Sequence, residues 1–140
     1  MTDDEKQTLI ARAVGVRQWA YAPYSNYQVG AALLASSGKF YDGVNVENAA
    51  YGSSICAERT ALVKAVSEGE RLFEAVAVVT DNGGSPCGAC RQMLAEFGLD
   101  LVVLLVDGQG QLMHETTLRT ILPDAFTPDS LKRSSPAPQP

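Results

Sequence analysis

Two cysteines stand three apart in SPCGACRQ (Ser85 to Gln92), and a third, Cys56, opens CAE in SSICAERT. Thiols at i and i+3 lie on the same side of a helical turn. A helix N-terminus favours the thiolate, the form of cysteine that binds metal. Four readings of Cys56, Cys87 and Cys90 are open. A redox pair at Cys87 and Cys90 leaves Cys56 and the neighbouring Glu58 unexplained. A structural zinc needs a fourth ligand, and the single histidine, His114, falls beyond the last strand in a hairpin-like segment. Three unconnected thiols would be inert core residues. Three thiolates with water in the fourth position make a catalytic zinc, and this reading accounts for most of the pattern. Glu58 would then be the base that takes a proton from the water and returns it.

Arg59 and Arg91 support the same choice. Each lies in or beside the first turn of a helix, where the dipole disfavours a cation. Three thiolates on one Zn²⁺ carry a formal charge of -1, which an adjacent guanidinium offsets. A broken local rule is expected at a functional site.

The bulk properties limit what such a site serves. The chain has 140 residues, enough for one domain with a substantial core. Hydrophobic residues make up 46% and charged residues 19%, as in an ordinary globule. The longest nearly apolar run, Leu99 to Val106, contains Asp100 and is too short to span a bilayer. The N-terminal MTDDEKQ is acidic and lacks an apolar core, so no signal peptide is expected and a cytoplasmic location is. A net charge of -5 without a basic stripe argues against binding nucleic acid and for a small neutral partner. An odd number of cysteines argues against a disulfide framework.

The elements that must position these residues follow from periodicity. Thr2 to Glu5 reads as a capping box ahead of Leu9, Ile10, Ala13 and Val14 at helical spacing, a helix of roughly five turns ending before Pro23. Residues 27–35 and 40–46 read as a hairpin joined by SSGK. A helix follows Ser53 or Ser54, its expected cap, and stops at Gly69. Glu74 to Thr80 and LDLVVLLVD read as strands buried on both faces. Between them Ser85 is expected to cap a helix that starts at Pro86 and ends at Gly98. A turn at DGQGQ leads through LMHE to a short helix over 117–122. Strands alternating with helices predict a three-layer α/β/α domain with a mixed, roughly five-stranded sheet over residues 1–131. The Pro- and Ser-rich 132–140 are expected to be an unpacked tail.

C-A-E followed about thirty residues later by P-C-x-x-C resembles the zinc nucleobase deaminase signature in its three-cysteine form. Four further blocks, APYSNYQVGAAL, GVNVENAAY, ICAERTAL and ILPDAF, together with SPCGACRQ, resemble the small tetrameric cytidine deaminases in the same order along the chain. The resemblance implies that Cys56, Cys87 and Cys90 hold one zinc and that Glu58 shuttles protons. It implies that Asn45 and Glu47 hold the ribose hydroxyls, that the backbones of Ala57 and Ser85 read the pyrimidine edge, and that Arg59 and Gln92 hydrogen-bond the thiolates. Tyr51 and Phe126 would reach into a neighbouring subunit's site, in a homotetramer with shared sites. The implied reaction is hydrolysis of cytidine or 2'-deoxycytidine to uridine or 2'-deoxyuridine and ammonia, in pyrimidine salvage. A deaminase of a cytosine-containing antibiotic such as blasticidin S is the near rival, and a non-enzymatic zinc module closed by His114 the distant one. Tyr27 departs from the family, which has phenylalanine there; its ring can stack on the base, but its hydroxyl needs a partner.

Overall fold

The computed structural model describes residues 1–131, and the expected tail at 132–140 lies outside the described residues. Helix α1 (Asp3–Val16) starts at the predicted box: Glu5 N–H donates to Thr2 Oγ1 at 3.1 Å, and Thr2 N–H to Glu5 Oε1 at 2.8 Å. It runs into a single 3₁₀ turn, Arg17–Trp19, ahead of Pro23. Strands β1 (Gly30–Ala35) and β2 (Phe40–Val44) form the predicted hairpin, with Gly38 at φ +90° in the turn. Helix α2 (Ala57–Ser67), strand β3 (Phe73–Val79), helix α3 (Gly88–Ala95) and strand β4 (Val102–Val106) follow. Strand β5 (Leu112–Thr117) and a one-turn helix α4 (Leu118–Ile121) complete the domain.

The five strands lie in the order β2-β1-β3-β4-β5. Only β3 and β4 run parallel, because α3 carries the chain back between them; the other pairs are antiparallel. The sheet is therefore mixed, as predicted. His114 belongs to β5 and pairs with Leu105, so the segment first read as lying beyond the last strand is itself the edge strand.

Alternation along the strands divides the core in two. Val76 and Val78 of β3 face Ala61, Leu62, Leu94 and Leu118 on one side. Ala75, Ala77 and Val79 face Leu9, Ile10 and Ala13 on the other. Helices thus cover both faces, which makes three layers. Each layer closes on a glycine. A Cβ at Gly30 would collide with the Ala13 carbonyl of α1. One at Gly43 would lie 2.5 Å from Ala61 N and 2.6 Å from Ala57 O of α2. Helix α2 thus rests directly on the backbone of β2, which fixes the height of its N-terminus above the sheet.

Register brings the chemistry to one end. Gly30 pairs with both Val44 and Val79, and Val79 with Val106. The entry to β1, the exits of β2 and β3 and the first turns of α2 and α3 therefore converge, at the carboxyl ends of the parallel pair, where open α/β sheets place their ligands.

Gly43→Ala must push α2 away from β2. We expect it to destabilise the fold by about 1–3 kcal/mol, read as a fall in thermal midpoint, and to lower the metal content of the purified protein because Cys56 moves with the helix.

Candidate metal centre and its cavity

The three sulfur atoms lie within 4.8 Å of one another. Cys56 Sγ is 3.9 Å from Cys87 Sγ, which is 3.2 Å from Cys90 Sγ. All three are free thiols, far beyond the bonding distance of about 2.05 Å. Zn–S bonds of about 2.3 Å at tetrahedral angles place thiolates about 3.8 Å apart. The donor set is soft, compact and graded in depth: Cys90 buried, Cys56 half-buried, Cys87 exposed.

Two helix starts supply this cluster, with a correction to the expected caps. Cys56 and Cys87 are themselves the N-cap residues of α2 and α3, in extended conformation at ψ 157° and 165°. Ser53 and Ser54 precede the Cys56 cap by three and two positions, and Ser85 precedes the Cys87 cap by two. Each of these cysteines sits at a helix N-terminus, whose partial positive charge favours the thiolate, though neither side chain makes a capping hydrogen bond. Cys90 then follows three residues into α3, as the spacing predicted.

The electrostatics call for a cation. The Cys56 thiol is drawn down to about 6, chiefly by its hydrogen bond with Cys90 and against the opposing effects of burial and Glu58. The same partnership, with burial, pushes Cys90 up. Burial holds the Glu58 carboxyl above the usual carboxylate range, opposed by Cys90 and Arg59. Among the described residues, Arg59 Nε is a buried nitrogen with no hydrogen-bond partner. Its charge favours ionised Cys56 and Glu58. The residues fit a zinc ion held by three thiolates.

A cavity of about 320 Å³ opens beside the cluster. Cys56, Ala57 and Glu58 come to it from the start of α2; Ser85, Pro86 and Cys87 from the loop before α3; Tyr27 and Val29 from the approach to β1; Asn45 and Glu47 from the exit of β2. Glu58 is only 4% exposed and stays outside the sulfur cluster, on the cavity wall. Tyr27 carries its hydroxyl to Asn82 Oδ1 at 2.8 Å, which supplies the partner a tyrosine at that position needs.

Asn45 and Glu47 reach the cavity while also holding its wall. Asn45 Nδ2 donates to the Tyr27 carbonyl at 2.8 Å, and its Oδ1 accepts Val29 N–H at 2.9 Å. Glu47 Oε1 accepts the N–H groups of Tyr24 and Ser25 at 2.9 and 3.1 Å, and Oε2 accepts the Ser25 hydroxyl. The Ser25 hydroxyl is the main cause of a Glu47 carboxyl lowered from its ordinary value.

Other expected residues lie elsewhere. The Gln92 amide donates to the Phe126 carbonyl at 2.7 Å, tying the segment after α4 to α3. Tyr51 and Phe126 point outward, 75% and 57% exposed, and neither lines the cavity. His114 is exposed on β5 and lies outside the sulfur cluster, which overturns the closed four-ligand module.

Arg91, singled out in the sequence as a charge offset for the thiolates, has a different part. Arg91 donates from Nε to the Pro86 carbonyl at 2.8 Å, from Nη1 to the Ile121 carbonyl at 2.5 Å and from Nη2 to Ser85 Oγ at 2.8 Å. This guanidinium clamps the Cys87 loop to the end of α4. Its place in a first turn was the available signal; its acceptors were not legible, because two are main-chain carbonyls.

Removing an exposed ligand separates the metal reading from a folding defect. Cys87→Ala should leave a folded chain with zinc reduced from about one per chain to near zero. His114→Ala should retain full zinc, with both variants read by elemental analysis beside circular dichroism.

The comparisons with known proteins agree with this geometry. The family model described as cytidine and deoxycytidylate deaminase zinc-binding region matches residues 3–106. A cytidine deaminase of Sporosarcina psychrophila is 51% identical over 128 residues, which cover 89% of this chain and 93% of that protein. A cytidine deaminase of Halalkalibacterium halodurans is 49% identical, covering 91% and 98%. Among solved structures, cytidine deaminase from Burkholderia pseudomallei superposes with a TM-score of 0.81 at 49% identity, covering 90% of this chain and all of that one. Cytidine deaminase from Mycobacterium tuberculosis gives 0.78 at 36% identity, covering 90% and 98%. Three clustered thiols at two helix starts, a buried glutamate beside them and a match along most of the chain converge on one assignment: the chain belongs to the cytidine and deoxycytidylate deaminase family of zinc-binding proteins.

Proposed function

We propose that this chain hydrolyses cytidine and 2'-deoxycytidine to uridine and 2'-deoxyuridine with release of ammonia. The observation that carries the reading is Glu58, buried beside the three-thiol cluster on the wall of a cavity with room for a nucleoside base. Relatives of about half identity that bear the name cytidine deaminase support the substrate.

Cys56, Cys87 and Cys90 would hold the zinc. Bound there, the metal is a Lewis acid that makes water a nucleophile near neutral pH. Glu58 takes the water's proton and places it on ring N3, which makes C4 electrophilic. The C4–O bond forms first; Glu58 then takes the remaining proton from that oxygen and delivers it to the amino group, the C4–N bond breaks, and ammonia leaves a C4 carbonyl. Tyr27 stacks its ring on the base, while the backbones of Ala57 and Ser85 meet the pyrimidine edge. Asn45 and Glu47 have donor and acceptor capacity left beyond their own wall, and this serves the ribose hydroxyls. Arg59 offsets the negative charge of the trithiolate site.

Residues 1–131 act as one catalytic domain, placed in the cytoplasm and serving pyrimidine salvage. No described helix is long and apolar enough to cross a membrane, and a net charge of -5 suits a small neutral substrate better than nucleic acid. We further propose a homotetramer in which Tyr51 and Phe126 enter neighbouring sites. Their exposure, together with that of Trp19, leaves large rings on the surface that a partner would cover.

Purified protein should release ammonia from cytidine, lose the activity to a zinc chelator and regain it with zinc. Zinc-loaded protein inert toward cytidine and deoxycytidine but active on blasticidin S would overturn the substrate. Glu58→Gln should retain zinc and lose at least the ~10²- to 10⁴-fold of an ordinary general base, because one carboxylate serves several proton transfers. Analytical ultracentrifugation should give four chain masses for the wild type and a smaller species for a variant carrying Tyr51→Ala and Phe126→Ala together.

A further inference from the structure

The loop between β3 and α3 is fastened to the cavity by a relay of hydrogen bonds outside the metal centre. Gly84 N–H donates to Thr80 Oγ1 at 2.7 Å. Thr80 Oγ1 donates in turn to Asn82 Oδ1 at 3.3 Å, and the same oxygen accepts the Tyr27 hydroxyl at 2.8 Å. Tyr27, Thr80 and Gly84 line the cavity; Asn82 does not. The phenol oxygen fills the space a side chain at 84 would need: a Cβ there would lie 2.9 Å from Tyr27 Oη and 3.3 Å from Asn82 Oδ1.

We infer that Asn82 is a positioning residue for the nucleoside, acting through the Tyr27 hydroxyl. This rests on the deaminase reading and adds to it a determinant of affinity for the base. A phenylalanine at 27 would present the same ring face with no tie to the loop. Here the ring is held at its far end by Asn82, and through Thr80 the same oxygen holds the Gly84 amide, one residue before Ser85. The stacking face and the segment that meets the pyrimidine edge therefore share one acceptor. Because that acceptor satisfies the phenol, the hydroxyl has no need of a substrate partner and the ring acts as a fixed apolar wall.

The relay can be cut cleanly. Arg17 donates from Nε to the Gln28 carbonyl at 2.9 Å and pairs with Asp81, bracing the same two segments independently. The loop then stays folded when the Tyr27–Asn82 bond is lost.

The test is steady-state kinetics on zinc-loaded protein with cytidine. One neutral hydrogen bond corresponds to roughly a 3- to 10-fold effect. Tyr27→Phe and Asn82→Ala should each raise KM by about that factor, with kcat of Asn82→Ala held within about twofold. The double variant should be no worse than either single one, since both remove the same bond. Asn82→Asp keeps an acceptor oxygen and should restore KM to near the wild-type value. An unchanged KM in either single variant, additive effects in the double variant, or a loss in thermal midpoint alone overturns the inference. Wild-type protein that does not turn over cytidine overturns the deaminase reading itself, a result visible before any variant is made.

Discussion

The crowding of three thiols and a carboxyl at one partly buried point is the constraint on which the rest of this structure depends. Glu58 disfavours charge on Cys56 and Cys90, ionised Cys56 disfavours it on Cys90, and burial compounds the cost at all three, while the Cys90 thiol favours ionised Cys56 and Glu58. The fold answers with positive potential from several directions: the N-termini of α2 and α3, the Arg59 guanidinium and the metal the cluster is shaped to hold. None of these works at a distance, so two helix starts must meet at one point. That demand explains the glycine under α2, the parallel pair that returns α3 to the same end of the sheet, and the clamp from Arg91 on the intervening loop.

Much of this was legible in the sequence. The three-layer plan followed from alternating strands and helices, and the sulfur cluster from two cysteine motifs at helix starts. The misses have a common physical cause. The approach to β1 carries a strand-like sequence from Tyr27, but the ladder begins at Gly30 because the Asn45 side chain takes the Tyr27 carbonyl and the Val29 amide that a neighbouring strand would otherwise bond. Ser54 and Ser85 are good capping residues by type, yet the caps are cysteines, whose place at the metal centre outweighs capping preference. In each case a side chain or a ligand site replaces the partner that local propensity assumes, and propensity carries no record of that replacement.

The cavity wall and the structural wall share residues. Asn45 and Glu47 tie the approach to β1 through the backbones of Tyr24, Ser25, Tyr27 and Val29, and they also face the cavity. Loss of either side chain therefore loosens the scaffold as well as removing a contact. The Glu58 and cysteine side chains differ, because among the described residues no hydrogen bond ties them to main chain outside their own helix starts.

The Arg91 clamp has a consequence for how this sequence can drift. Two of its three acceptors are main-chain carbonyls, at Pro86 and Ile121, and every residue type offers the same carbonyl. A change of side chain at 121 leaves the acceptor in place, whereas a change at 91 removes three contacts at once. The inherited constraint is therefore concentrated in a single codon and leaves little trace at the positions it holds together.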